Sequence, residues 1–180
     1  MNPWKGYSVN LYIVQNSPFY MSNPHGAQAS VRPGLKVGRS NEFTIISALK
    51  PGGAERMRKL MPDGFTGQRQ KNTDRLGTVH DLRFVIFDND TRVIFASTFD
   101  GDWDAYINDF AAIIPDEIDL LFHELEGYPG IHSPNIKDWI VKQQVTSTAF
   151  YSAYPNASVK DVWKALKIKD TLNDLLDEAS

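Results

Sequence analysis

Thr78-Val-His-Asp-Leu-Arg-Phe-Val-Ile-Phe-Asp-Asn-Asp-Thr-Arg-Val-Ile-Phe-Ala-Ser-Thr-Phe-Asp100 decides the fold. It reads as two strands around a tight turn at Asp88-Asn-Asp-Thr91, because Asn and Asp tolerate the positive φ that such turns require. Successive strand side chains point to opposite faces, so the run sorts into two sets. One face carries His80, Leu82, Phe84 and Ile86 opposite Val93, Phe95, Ser97 and Phe99. The other carries Asp81, Arg83, Val85 and Phe87 opposite Arg92, Ile94, Ala96 and Thr98. The first set is core. The second is apolar in its middle and polar toward one end, so its middle needs a cover and its polar end is where a site belongs.

Working outward from the hairpin, the segment from Asn41 to Lys50 is a strand, and Pro51 sits where a helix start welcomes it. A helix through residues 54–61 follows, stopped by Pro62 and Gly64. Residues 62–77 read as a polar loop. After the hairpin, Trp103, Tyr106, Ile107, Phe110, Ile113 and Ile114 recur at helical spacing. Pro115 interrupts, and Ile118, Leu121, Phe122 and Leu125 form a second helix ended by Gly127. A short helix capped by Asn135 runs to Gln143, and a β-rich run covers residues 145–154. Ser158 caps a final helix whose apolar stripe is Val159, Val162, Trp163, Leu166, Leu172, Leu175 and Leu176.

This order is α+β, and its βαββαβ core is the ferredoxin-like pattern: an antiparallel sheet with helices on one face. Helices 102–114 and 158–177 are expected on that same face. The domain spans residues 41–180, and residues 1–40, rich in Pro and Gly, form an arm packed on the body. The bare sheet face holds Val85, Ile94 and Ala96. A second copy covering it would make a dimeric α+β barrel, and residues 1–40 are the alternative cover. A homodimer is the expectation, since an apolar sheet face seldom stays exposed.

Composition narrows the function. Across 180 residues, 42% hydrophobic and 23% charged is ordinary globular usage. A net charge of -3 and the lack of any Lys/Arg run argue against nucleic acid. No apolar stretch reaches the ~20 residues of a membrane span, and the first residues lack a signal-peptide core. Zero cysteines remove disulfides, thiolate nucleophiles and Cys-type metal sites. A soluble, cytoplasmic protein with no nucleic-acid or membrane partner is the reading. No P-loop, dinucleotide fingerprint, nucleophile elbow or zinc-helix motif occurs.

His80-x-x-Arg83, the strand from Val93 to Gly101, the aromatic-rich helix and Glu126-Gly-Tyr-Pro-Gly130 together resemble a little-characterised bacterial group of ferredoxin-like proteins. That group is similar to the dimeric α+β barrel superfamily, which includes dye-decolorising peroxidases and chlorite dismutases. The resemblance covers residues 41–180. It implies a heme enzyme, a cofactor-free oxygenase or a protein without catalysis, because fold does not transfer function. The peroxidases carry Gly-x-x-Asp-Gly, and Ser97-Thr-Phe-Asp-Gly101 matches it with Ser in place of the first Gly.

Four residues are the candidate ligand-binding set: Arg83, His80, Asp81 and Asp100. Arg83 suits a planar acid bidentately, and Asp81, two residues away on the same face, orients it. The competing reading makes that pair a surface ion pair. His80 and Asp100 lie at the same end of the hairpin, where His80 serves as ligand, base or strand-end residue. His123 with Glu124 and Glu126 lacks the spacing of a metal site, and Asp100, Asp102 and Asp104 lack the pattern of a calcium loop. Three readings stay open: binding of a small hydrophobic or heme-like acidic molecule over the bare face, a heme peroxidase or cofactor-free oxygenase, and an oligomeric interaction module. No catalytic residue is identified.

Overall fold

The structure is a computed structural model that describes residues 34–178. Most of the expected arm lies outside that range. Within it the protein is α+β, with an open five-stranded antiparallel sheet and six helices. The strands are β1 (Lys36–Val37), β2 (Ser40–Ala48), β3 (Val79–Phe87), β4 (Arg92–Asp100) and β5 (Gln144–Val145). The helices are α1 (Gly53–Leu60), α2 (Gly67–Asp74), α3 (Trp103–Ile113), α4 (Pro115–Phe122), α5 (Ile136–Gln143) and α6 (Val159–Glu178). No described helix is long and apolar enough to cross a membrane.

The hairpin forms as its sequence dictates. Asp88, Asn89 and Asp90 all take positive φ, between 52° and 66°. Thr91 closes the turn, its amide and hydroxyl both donating to the Asp88 carbonyl. Along β3, however, the strict alternation breaks. Val79 lies opposite Phe99 and Asp81 opposite Thr98, so His80 is the extra residue of a β-bulge. Val79 takes the core place expected of His80, and the His80 ring leaves that face.

β4 is central, paired with β3 on one side and β2 on the other; β2 in turn pairs with β1 and β5 along its far edge. The core face of these strands presents Phe43, Ile45, Val93, Phe95 and Phe99. Onto it pack Ala54 and Met57 of α1, four residues of α3 from Trp103 to Phe110, and the apolar sides of α4 and α5. Phe95 meets Phe43, Phe84 and Phe122 in edge or tilted contacts 5.0–6.0 Å apart, geometry that favours aromatic pairs beyond their burial.

Three expectations need correction. The final helix does not share the core face with α3. Only Val159 of α6 is buried, while Trp163, Leu166, Ile168, Leu172 and Leu175 are 44–59% exposed. Amphipathic spacing shows that a helix has an apolar side, not what meets it; here α4 and α5 occupy the sheet instead. The β-rich run beginning at Val145 is also shorter than expected. After Val145, the amide of Ser147 turns to a side chain, donating to Glu42 Oε1 at 3.0 Å. A further helix, α2, occupies the stretch read as loop; it buries no residue, so apolar periodicity could not betray it.

Glu42 holds the second sheet face together. It is 5% exposed, and its carboxylate accepts from the Leu35 amide, the Ser147 amide and the Thr44 hydroxyl. It therefore ties the chain before β1 and the chain after β5 to the middle of β2. Glu42→Ala strands two backbone donors and is expected to lower unfolding free energy by about 2–4 kcal/mol. Glu42→Gln, which keeps one acceptor oxygen, should lose less. Urea denaturation of both variants checks the order.

Candidate functional site at the end of the hairpin

The Asp100 end of the hairpin opens into a cleft of about 390 Å³. Its walls are the β1–β2 turn (Lys36, Gly38, Arg39), the lead into β3 (Gly77, Thr78), the end of β4 (Asp100, Gly101) and the start of α6 (Ser158, Lys160). Local sequence explains these walls. Gly38 has φ 62° and lies so near Pro155 that a Cβ would stand 2.3 Å from the Pro155 carbonyl oxygen. That close approach lets the Arg39 amide donate to the same carbonyl at 2.7 Å. Gly77, at φ 64°, leaves room for the Lys160 side chain, whose Cε would lie 3.2 Å from a Cβ there.

Asp100 is the joint of the site. Its Oδ1 accepts from His80 Nε2 at 2.8 Å, and its Oδ2 accepts from the Val159 amide at 2.8 Å. One carboxylate thus links the β3 bulge to the first turn of α6, where negative charge is favoured. The bulge is what aims His80 there. The second cap of α6 is a reciprocal pair. Asp161 N donates to Ser158 Oγ, and Ser158 N donates to Asp161 Oδ2. The Ser158 bonds hold the Asp161 carboxyl below its ordinary range.

The structure brings two of the four predicted residues together and leaves two apart. His80 and Asp100 are bonded, with side chains 23% and 11% exposed. Arg83 and Asp81 are also paired, Nη1 to Oδ1 at 3.0 Å, but at 64% and 51% exposure. The guanidinium does not enter an enclosed space. Opposite Arg83 in the ladder stands the small residue Ala96. An exposed pair of this kind contributes ~0–1 kcal/mol. Asp102 and Asp104 do not converge with Asp100: Asp104 pairs with Lys137 at 2.6 Å, and Asp102 precedes α3.

Sequence reasoning missed Lys36, Arg39, Lys160 and Thr78. Arg39 has a loose partner in Asp161, at 3.7 Å. Lys36 and Lys160 have no ion pair or side-chain hydrogen bond among the described residues, and the buried Thr78 hydroxyl has no partner. A signal was present. Two bases flank a glycine in Lys36-Val-Gly-Arg39, and a lysine stands in the first turn of a helix, where acids are preferred.

A larger cleft, about 520 Å³, lies between α1 and α4, lined by Arg56, Leu60, Asp119, Leu120 and His123 among others. Its strongest ion pair joins two of its own charges. Arg56 donates through Nε and Nη2 to Glu124 Oε2 at 2.9 and 2.6 Å. Asp119 accepts from the Tyr128 hydroxyl and the Ile131 amide. The Glu126–Gly130 loop is held by these bonds and by the Trp139 indole, which donates to the Glu126 carbonyl. Size favours this cleft, whose charges are of both signs, and the gathering of three cations favours the other.

The residues do not fit a heme at the hairpin end. The cleft has charged, hydroxyl and glycine walls and no apolar slot, and His80 Nε2 is committed to Asp100. No family model, no curated protein and no solved structure matches this chain.

Two outcomes follow from these contacts. Asp100→Ala removes a charge-assisted bond to the Val159 amide and should speed hydrogen exchange at Val159 about tenfold. Exchange in the Phe95–Ser97 segment should not change. At the larger cleft, the hydrogen bond from Arg56 holds the Glu124 carboxyl below its ordinary range. The lowered folded value means its contribution is present above the unfolded value and lost as pH falls through the folded one. Stability measured against pH should therefore fall on the acid side, and Glu124→Gln should flatten that slope.

Proposed function

We propose that this chain is a cytoplasmic, homodimeric protein of ferredoxin-like architecture that binds a small acidic molecule in the hairpin-end cleft. The architecture is supported by the spatial order β5–β2–β4–β3, in which the two strands of the hairpin sit to one side and the last strand adds to the far edge of β2. The binding reading rests on one observation: three cations, Lys36, Arg39 and Lys160, surround a cleft of about 390 Å³, and two of them have no anionic partner among the described residues. That volume is in the range of small-molecule sites. Thr78 lines the same cleft.

The ligand class follows from the donors. Lysine ammonium groups and a guanidinium recognise oxyanions, carboxylate or phosphate, through charge-assisted hydrogen bonds. Asp100 sets a limit on the other side. It is already held by His80 and the Val159 amide, so it repels an anion that approaches its own end and favours one seated between the lysines. His80 acts through Asp100 as a positioning residue. In this reading Arg83 and Asp81 lie outside the binding site, and the acidic group expected beside Arg83 belongs with Lys36 and Lys160.

Titration of the protein with inorganic phosphate and with citrate, followed by calorimetry and amide shifts, tests the reading. Saturable binding with shifts at residues 36–39, 77–78 and 158–160 is expected. Lys36→Ala and Lys160→Ala should each weaken binding about tenfold or more, the worth of one charge-assisted bond, while Arg83→Ala leaves it unchanged. Binding by neither anion, or binding lost on Arg83→Ala alone, overturns the assignment.

A further inference from the structure

The exposed large apolar side chains of the described residues concentrate on α6, not on the bare sheet face. On that face Glu42 and Ala96 are buried, and Val85 is 42% exposed. On α6, Val162, Leu166, Ile168, Leu172 and Leu175 lie between 37% and 59% exposed. At 100° per residue they spread over about half of the helix circumference, with Val162, Lys169 and Leu172 in the middle, Leu166 on one margin and Ile168 and Leu175 on the other. At 1.5 Å per residue the 20 residues of α6 extend about 30 Å. Only its first residue, Val159, is buried. A helix gains most of its stability by packing an apolar side, and short helices are marginal in water alone.

The charges of α6 are sorted by halves. Residues 159–169 hold Lys160, Lys164, Lys167 and Lys169 against the single Asp161. Residues 170–178 hold Asp170, Asp174, Asp177 and Glu178 and no base. This order opposes the helix dipole, which favours acids at the N-terminus and bases at the C-terminus. A parallel partner would set lysines beside lysines. An antiparallel copy of the same helix sets each basic half beside an acidic half, and a twofold axis makes that match self-complementary.

We propose that α6 pairs with α6 of a second copy, antiparallel, through this band, and so specifies the homodimer of the reading above, on which the proposal rests. The apolar band supplies the attraction. The charge halves stand at roughly a Debye length and choose the direction. A register centred on residue 167 sets Ala165 at the level of the partner's Lys169, close to the twofold axis. The same register puts Val162 at the level of the partner's Leu172. The dimer is thus built on the last helix and leaves the sheet face out of the contact, unlike an α+β barrel.

The chain has no cysteine, so introduced cysteines report cleanly. Light scattering of the full chain should show a dimer that Leu166→Glu with Leu172→Glu converts to monomer, with unchanged far-ultraviolet circular dichroism of the sheet. Under mild oxidation the double variant Val162→Cys with Leu172→Cys should give a disulfide-linked dimer, because the register sets residue 162 level with the partner's residue 172. Val162→Cys alone should not, because antiparallel pairing separates the two copies of residue 162 by about 15 Å along the axis, beyond disulfide reach. Cross-linking by Val162→Cys alone would overturn the antiparallel arrangement. A dimer that survives the double glutamate variant would overturn α6 as the contact and leave self-association standing. A wild-type monomer at all concentrations would overturn both.

Discussion

Tyr106 is fully enclosed, and a buried phenol must find a hydrogen-bond partner or forfeit more than the bond is worth. Its hydroxyl meets Ser97 Oγ at 2.6 Å, and its ring stacks on Phe99 at 4.0 Å and stands edge-on to Phe43 and Phe110. Burial drives the Tyr106 hydroxyl well above its ordinary range, so it stays protonated and bonded. This one residue fixes where α3 lies along β4. The rest of the helical layer follows, because α4 starts at Pro115 directly after α3 and places Phe122 against Phe95. Ser97, the polar residue among Val93, Phe95 and Phe99 on the core side of β4, is explained by the same bond. Phenylalanine at 106 would leave the serine alone; valine at 97 would leave the phenol alone.

The opposite sheet face follows a different rule. It is closed by a charge, Glu42, whose Oε1 accepts backbone amides from the segments beside β1 and β5 and whose Oε2 accepts the Thr44 hydroxyl. A buried carboxylate is tolerable only with such partners. The arrangement also restricts its neighbour, since any side chain at residue 34 would place its Cβ 2.1 Å from Glu42 Oε1. Two faces of one sheet are thus secured by unlike means: one by aromatic packing, the other by a carboxylate clamp that draws loop segments across the strands.

What the sequence disclosed follows from what periodicity can carry. The hairpin, its turn, and the apolar sides of α3 and α4 were legible, because each alternates or repeats over many residues. A single inserted residue has no periodic signature, so the bulge that turns His80 from the core toward Asp100 was hidden, although both residues were singled out. Arg83 stood out for its charge beside small and apolar neighbours, yet a strand shows only which face a residue takes and not whether that face has walls. Its guanidinium is 64% exposed. Lys36, Arg39 and Lys160 come from three separated segments, and only the folded chain brings them round one cleft.

Lys160 is where the two proposals meet. It stands in the first turn of α6, beside the positive end of the helix dipole, and it lines the cleft. A base at that place costs about 0.3–1 kcal/mol in an exposed helix, and three more lysines follow before any acid other than Asp161. Asp100, accepting from the Val159 amide, offsets part of this charge, and the Asp161 cap offsets another part. An oxyanion between Lys36 and Lys160 relieves the beginning of the helix, and the acidic half of a second copy relieves its length. A sequence selected only for an isolated stable helix would have reversed these charges. The reversed order makes sense when the positive end has an anion to hold and the negative end has a partner to meet.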